Sequence, residues 1–228
     1  MVEEQLQSNI SLVRRRIAEA ARLRAEKTGA VCDVTLVAAT KTVPADVINA
    51  AVKLGITDIG ENRAQEFNEK HDFVSGADWH FIGTLQSNKA KYLVGKVKLI
   101  QSVSSVSLLS EIARLCEKRE VVQDVLVEVN VGGEASKTGA DVAAVDELIT
   151  AALKCGAVRL RGIMSLLPIG ADDKLYDKAF GIYSRYAGGD VNILSMGMSG
   201  DYEKAIRHGS NMVRVGSSIF GMRKQVGE

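Results

Sequence analysis

The sequence has 228 residues, 29 basic against 28 acidic side chains and 46% hydrophobic residues. That balance describes a folded chain rather than a disordered one, and a net charge of +1 offers no bulk attraction for nucleic acid or anionic lipid. Cys32, Cys116 and Cys155 form no CxxC pair and lack metal-ligand spacing, which reads as buried, reduced thiols in a reducing compartment. The acidic start Met1-Val2-Glu3-Glu4 does not resemble a signal peptide, and no apolar run is long enough to cross a bilayer, so a cytoplasmic location is expected.

Leu6, Ile10, Val13, Ile17, Ala21 and Leu23 recur at helical spacing and predict an amphipathic helix over 3–27. Arg14, Arg15 and Arg16 border its apolar stripe, and with Glu19 and Glu26 interleaved they read as a solvated face rather than a nucleic-acid patch. Beyond it, short β-rich runs alternate with helical patterns. The predicted strands are 34–39, 57–60, 79–83, 98–101, 123–129, 158–163, 192–195 and 212–215. The predicted helices are 44–54, 61–73, 87–94, 105–119, 141–154, 173–187 and 200–208.

Strict alternation implies right-handed crossovers and a parallel sheet. The expected fold is α/β, a single (β/α)8 TIM-type barrel over residues 1–228 with an additional N-terminal helix. An open doubly wound sheet could use the same string. The N-terminal helix is expected to fill the outer-ring slot of an eighth helix.

In a parallel barrel the chemistry lies at the C-terminal ends of the strands. The first strand runs into Thr40-Lys41-Thr42, with Pro44 opening the next helix, so Lys41 falls at that rim. A surface lysine at a strand end is the ordinary reading; one partly desolvated in a barrel mouth becomes a nucleophile toward aldehydes. The seventh strand runs into Gly197-Met198-Ser199-Gly200-Asp201, where Ser199 can cap the next helix, and the eighth into Gly216-Ser217-Ser218. Loops after strands seven and eight are the recurrent phosphate site of this fold, because helix N-termini offer unpaired amides and a favourable dipole. Arg214 lies within Met212-Val213-Arg214-Val215, and alternation alone leaves open which face is interior. An inward arginine would need a partner such as a phosphate or a ring nitrogen.

Four further features carry less. The loop 132–139 follows the fifth strand and reads as a flexible surface loop that carries Lys137. His80 reads as a satisfied core or rim histidine. Neither His71 nor His208 has a ligand-spaced neighbour, and no metal site is expected. Met196 and Met198 read first as packing.

The segments Ala39-Thr40-Lys41-Thr42, Gly60-Glu61-Asn62-Arg63-Ala64-Gln65-Glu66 and Trp79 through Lys89 resemble the pyridoxal phosphate homeostasis protein family. So do Arg161-Gly162-Ile163-Met164, Leu194 through Ser199 and Met212 through Gly221, in the family's order over nearly the whole chain. The resemblance implies a pyridoxal 5'-phosphate (PLP) protein of fold type III, with a barrel like that of alanine racemase. It also implies that Lys41 is the Schiff-base lysine, that Ser199, Gly216 and Ser217 form the phosphate cup, and that Arg214 faces the pyridine nitrogen. Asn62 and Met198 match positions beside the cofactor, and the loop 132–139 resembles the family's loop with a second lysine, which makes Lys137 an outside candidate for PLP transfer.

The implied role is intracellular PLP homeostasis or delivery to apo PLP-dependent enzymes, by a monomer without efficient catalysis. An arginine at the ring nitrogen holds that nitrogen unprotonated and weakens PLP as an electron sink. The chief alternative is a PLP-dependent amino-acid racemase. Such an enzyme needs a second acid/base, a tyrosine brought by a further β domain that is expected to be absent from this chain. A Schiff-base aldolase is disfavoured by the lysine's place on the first strand.

Overall fold

The computed structural model describes residues 3–133 and 138–221. Strand and helix alternate along it as the periodicity requires. The barrel strands are β1 (Thr35–Ala39), β2 (Asp58–Glu61), β3 (Asp78–Phe81), β4 (Leu99–Val103), β5 (Gln123–Asn130), β6 (Val158–Ser165), β7 (Ile193–Ser195) and β8 (Met212–Val215). Each pairs in parallel with its sequence neighbour, and β1 pairs with β8, so the sheet closes into an eight-stranded barrel. A two-residue strand, Ala140–Asp141, adds to the end of β5.

The helices are α1 (Glu3–Thr28), α2 (Ala45–Lys53), α3 (Ala64–Lys70), α4 (Val106–Arg119), α5 (Val145–Lys154), α6 (Asp173–Ser184), α7 (Tyr202–Arg207) and the single turn α8 (Ser217–Phe220). The expected helix at 61–73 is shorter, because Glu61 completes β2 and the end tightens into a 3-10 turn at His71–Phe73. The one expected at 87–94 is a 3-10 segment, Ser87–Tyr92, with Lys89 N–H bonded to the Gln86 carbonyl three residues back. Where side-chain caps form they mark real starts: Ser105 accepts from Leu108 N–H and Asp172 from Leu175 N–H, each at 3.2 Å.

Helix α1 buries Leu6, Ile10, Val13, Ile17 and Ala20. That 4-3-4-3 step replaces the expected Ala21 and Leu23 ending, and its next position is Arg24, which donates to the Ser210 carbonyl at 3.3 Å; Leu23 is exposed. The helix packs against α7, α8 and α2, the slot an eighth outer helix would take. Arg14 donates to the Gly55 carbonyl and Arg16 lies 3.5 Å from Glu203, so two of the three arginines tie the helix to its neighbours.

Alternation along the strands sorts two apolar layers. The larger fills the space between sheet and helices. The smaller, Val37, Leu99, Leu126, Met164 and Met212, fills the barrel's interior. Gly162 shows why one motif glycine is required. It has φ +149°, beside a register shift in the β5–β6 pairing, and a Cβ there would lie 1.8 Å from the Ile193 carbonyl oxygen.

Candidate functional site at the C-terminal rim

Closure brings the first and last strands together. Thr35 through Ala38 pair with Met212 through Val215, so the residues after β1 and those after β8 leave the sheet side by side. Thr40 prolongs the ladder, its N–H bonded to the Gly60 carbonyl at 2.9 Å and its hydroxyl turned outward to Glu61 at 2.9 Å. Lys41, half-buried, follows at once as the first central residue of a turn closed by Val43 N–H on the Thr40 carbonyl at 2.9 Å. Gly216 abuts this strand closely: a Cβ there would meet the Ala39 oxygen at 3.2 Å and the Ala39 Cβ at 3.3 Å.

The two small-residue loops form one structure rather than two. Ser199 does not cap α7, whose flanking Asp201 supplies no side-chain cap. Its hydroxyl instead accepts from Gly216 N–H at 3.1 Å and Ser218 N–H at 3.5 Å, which joins the loop after β7 to the start of α8. Within this turn Ile219 and Phe220 N–H bond to the Gly216 carbonyl, each at 2.9 Å, while the Ser217 and Ser218 amides precede any acceptor the turn can offer. Asp201 fixes the β7 loop from behind, accepting from Met198 N–H at 2.6 Å and from the Tyr176 hydroxyl at 2.7 Å. Met196 packs in the core as expected, but Met198 exposes its side chain at the rim, so packing does not account for it.

Arg214 faces inward with Met212, while Val213 and Val215 join the outer core. It is 4% exposed, and among the described residues no carboxylate lies within ion-pair distance of it. Burial pushes its guanidinium down to about 10, against the opposing pull of Glu128 and Asp201, so it keeps its charge at neutral pH. Burial likewise raises the Glu128 carboxyl, which accepts from the Thr138 hydroxyl at 2.6 Å.

Arg214 is held by a chain of hydrogen bonds across the barrel interior. Its Nη1 donates to Ser195 Oγ at 2.5 Å and its Nη2 to the Ser165 carbonyl at 3.1 Å. Because arginine only donates, the Ser195 hydroxyl hydrogen goes to Gln101 Oε1, 2.7 Å away. That orients the Gln101 amide so that its Nε2 donates to His80 Nδ1 at 3.1 Å, and His80 Nε2–H then donates to Asp58 Oδ1 at 2.9 Å. Lys98 closes the chain at the opposite end, 3.1 Å from Asp58. His80 is therefore a satisfied core histidine. Gln101 and Ser195 were not singled out from the sequence, because their pairing spans β3, β4, β7 and β8 and leaves no local spacing.

Asn62, in the turn after β2, is the remaining rim residue. Its Oδ1 is buried and has no hydrogen-bond partner among the described residues. Gly83 permits the close approach of β3 behind it, since a Cβ there would lie 2.1 Å from the Asn62 carbonyl oxygen. Lys137 lies outside the described residues. Lys41, Ser199, Gly216, Ser217, Met198 and Asn62 all occupy strand ends at one rim, and Arg214 lies inside the barrel on the strand beside Lys41.

A closed parallel barrel with these groups at its C-terminal rim defines the class of alanine-racemase-type barrels, and the family model described as alanine racemase, N-terminal domain, matches residues 3–224. The pyridoxal phosphate homeostasis protein of Aquifex aeolicus is 41% identical over 198 residues, covering 83% of this chain and 87% of its own. The chain belongs to the pyridoxal phosphate homeostasis protein family. The structure of PipY from Synechococcus elongatus with PLP bound is 29% identical, with TM-score 0.75, covering 89% of this chain and 99% of its own. Alanine racemase of Clostridium difficile shares the fold at 15% identity, with TM-score 0.73, covering 98% of this chain and 57% of its own.

Proposed function

We propose that residues 1–228 form one PLP-binding unit that holds the cofactor as a Schiff base on Lys41 and serves intracellular PLP homeostasis or delivery. One observation carries the reading: the Lys41 strand and the joined Ser199–Gly216 loops sit side by side, with a buried guanidinium that has no carboxylate partner among the described residues on the strand between them. The residues fit the group. The Ser217 amide and the Ser199 hydroxyl, set in place by the Gly216 and Ser218 amides, would hold the phosphate. Arg214 would face the ring nitrogen, and the orphaned Asn62 Oδ1 would be available to accept a hydrogen bond beside the ring. Met198, exposed at the rim, would lie beside the group. The bound cofactor supplies an aldehyde carbon open to amines and a ring able to withdraw electrons.

The chain's own residues limit that chemistry. Arg214 has no proton acceptor to offer, and its charge keeps the atom it faces unprotonated. The five tyrosines are committed elsewhere: Tyr176 to Asp201, Tyr186 to Asp146, Tyr92 beneath Lys89 and Lys91, and Tyr183 and Tyr202 among the helices. The homeostasis names of relatives such as those from Aquifex aeolicus and Schizosaccharomyces pombe agree with a carrier. A cytoplasmic monomer that passes PLP to apo PLP-dependent enzymes completes the reading; among the described residues no helix is long and apolar enough to cross a membrane. Titration with PLP and with pyridoxal tests the cup. Ser199→Ala combined with Gly216→Val removes the hydroxyl joining the loops and forces a side chain against Ala39. PLP affinity is expected to fall at least about ten-fold more than pyridoxal affinity, the scale of one lost charge-assisted hydrogen bond. Equal losses would place the phosphate elsewhere.

A further inference from the structure

The residue after Lys41 is held in a conformation that its side chain opposes. Val43 N–H bonds to the Thr40 carbonyl at 2.9 Å, so Thr40 through Val43 form a turn with Lys41 and Thr42 at its centre. Thr42 has φ +63°, while Lys41 is not among the residues of positive φ. That is the pattern of a type II turn, whose second central position ordinarily falls to glycine or asparagine. A β-branched residue there is disfavoured by roughly ten- to a hundred-fold, and persists only where its surroundings over-determine it.

Those surroundings are one cluster on the outer side of the sheet. Thr42 N–H donates to Glu66 Oε2 at 2.8 Å. Lys70 Nζ donates to the Thr40 carbonyl at 3.0 Å, and it pairs with Glu61 at 2.7 Å and with Glu66 at 3.3 Å. The Thr40 hydroxyl donates to the same Glu61 carboxylate, which is fully buried. Both the carbonyl that opens the turn and the amide at its strained residue are therefore gripped by ion-paired side chains of α3, themselves only 13% and 18% exposed. A grip of this kind costs desolvation that a surface turn would not require. Its geometric effect is to fix the backbone on either side of Lys41.

We propose that Glu66 and Lys70 are positioning residues for Lys41, bracing the strained turn so that the amine is presented to the barrel mouth before any ligand arrives. The proposal deepens the reading of Lys41 as the PLP-binding lysine and rests on it for its ligand, but the brace itself does not need PLP. Without the brace the turn relaxes, and affinity for a lysine-bound ligand falls by the fraction of chains that keep the strained conformer.

The test compares the full-length protein with Glu66→Ala, Thr42→Gly and the double variant, using Lys70→Met should Glu66→Ala fail to fold. In PLP-free protein, Glu66→Ala should speed hydrogen exchange at the Thr42 amide about ten-fold or more. PLP affinity should fall about ten-fold, while pyridoxine 5'-phosphate, which has no aldehyde, changes by less than about two-fold. Glycine at position 42 takes positive φ without strain, so the double variant should recover PLP affinity to within about three-fold of wild type. Unchanged exchange at Thr42, equal losses for the two ligands, or no recovery with glycine would each overturn the brace. A wild type that binds neither ligand would sink the PLP reading, and exchange at Thr42 would still decide the brace.

Discussion

Replacing Gln101 with leucine should destabilise the protein out of proportion to the change in volume. The amide is fully buried between Ser195 and His80, accepting from one and donating to the other. Leucine strands the Ser195 hydroxyl hydrogen and the His80 Nδ1 lone pair, while the bonds of Ser195 to Arg214 and of His80 to Asp58 remain. A buried polar group deprived of its partner costs about 1–3 kcal/mol. The Ser195 hydrogen can rotate toward another acceptor while the His80 Nδ1 lone pair cannot, so the expected loss is about 2–4 kcal/mol rather than the upper limit of two full orphans. For a chain of this length that is a drop of roughly 5–15 °C in Tm. Calorimetry or urea unfolding of the PLP-free protein measures it, and Ile100→Val, in the outer core of the same strand, supplies the contrast at about 0.5–1.5 kcal/mol. If Gln101→Leu costs under about 1 kcal/mol, the interior chain from Arg214 to Asp58 is not a connected network and its role in holding the guanidinium falls with it.

Two further predictions concern acid and catalysis. Burial works to raise the Asp58 carboxyl, but hydrogen bonds from His80, Thr57 and Lys98 outweigh it and hold it far below the ordinary carboxylate range. Because the folded value is depressed, its stabilisation is present above the unfolded value near ~3.9 and is lost as pH falls through the folded one. The stability gap between wild type and Asp58→Asn should therefore narrow below about pH 4; a gap constant down to about pH 2 would deny Asp58 its ionised role. Incubation with L-alanine in deuterated water should give at most slow α-deuteration without inversion, because abstraction on one face and return on the other need two placed acid/base groups. Turnover on the order of ~1 to 10³ per second, lost in Lys41→Ala, would convert the carrier into a racemase.

The barrel was legible because its signals are local. Each strand is a short apolar run between helical patterns, and β8 spans the expected residues, 212–215. Ends blurred where a polar residue stays in the sheet, as Glu61 does, or where a short crossover closes with 3-10 bonds, as at Ser87–Tyr92. The rim residues were legible for the same reason, since a strand end fixes their place. What escaped is non-local. Arg214 could be assigned an interior face only once Met212 was seen to pack against Val37, Leu99, Leu126 and Met164 on four other strands. Ser199 looked like a cap for α7 and proves to bond across to Gly216, seventeen residues on. The strain at Thr42 has no sequence signature at all, because threonine is the residue a type II turn would not choose.

Lys41 is the centre of the account, and one measurement addresses it directly. The protein loaded with PLP is reduced with borohydride, digested and mapped by mass for the phosphopyridoxyl group, in wild type and in Lys41→Ala. The account predicts a single major adduct on Lys41 and, in Lys41→Ala, no adduct but residual PLP affinity, because the Ser199–Gly216 cup does not depend on the lysine. An adduct on Lys137, or label scattered over surface lysines in both proteins, would contradict it.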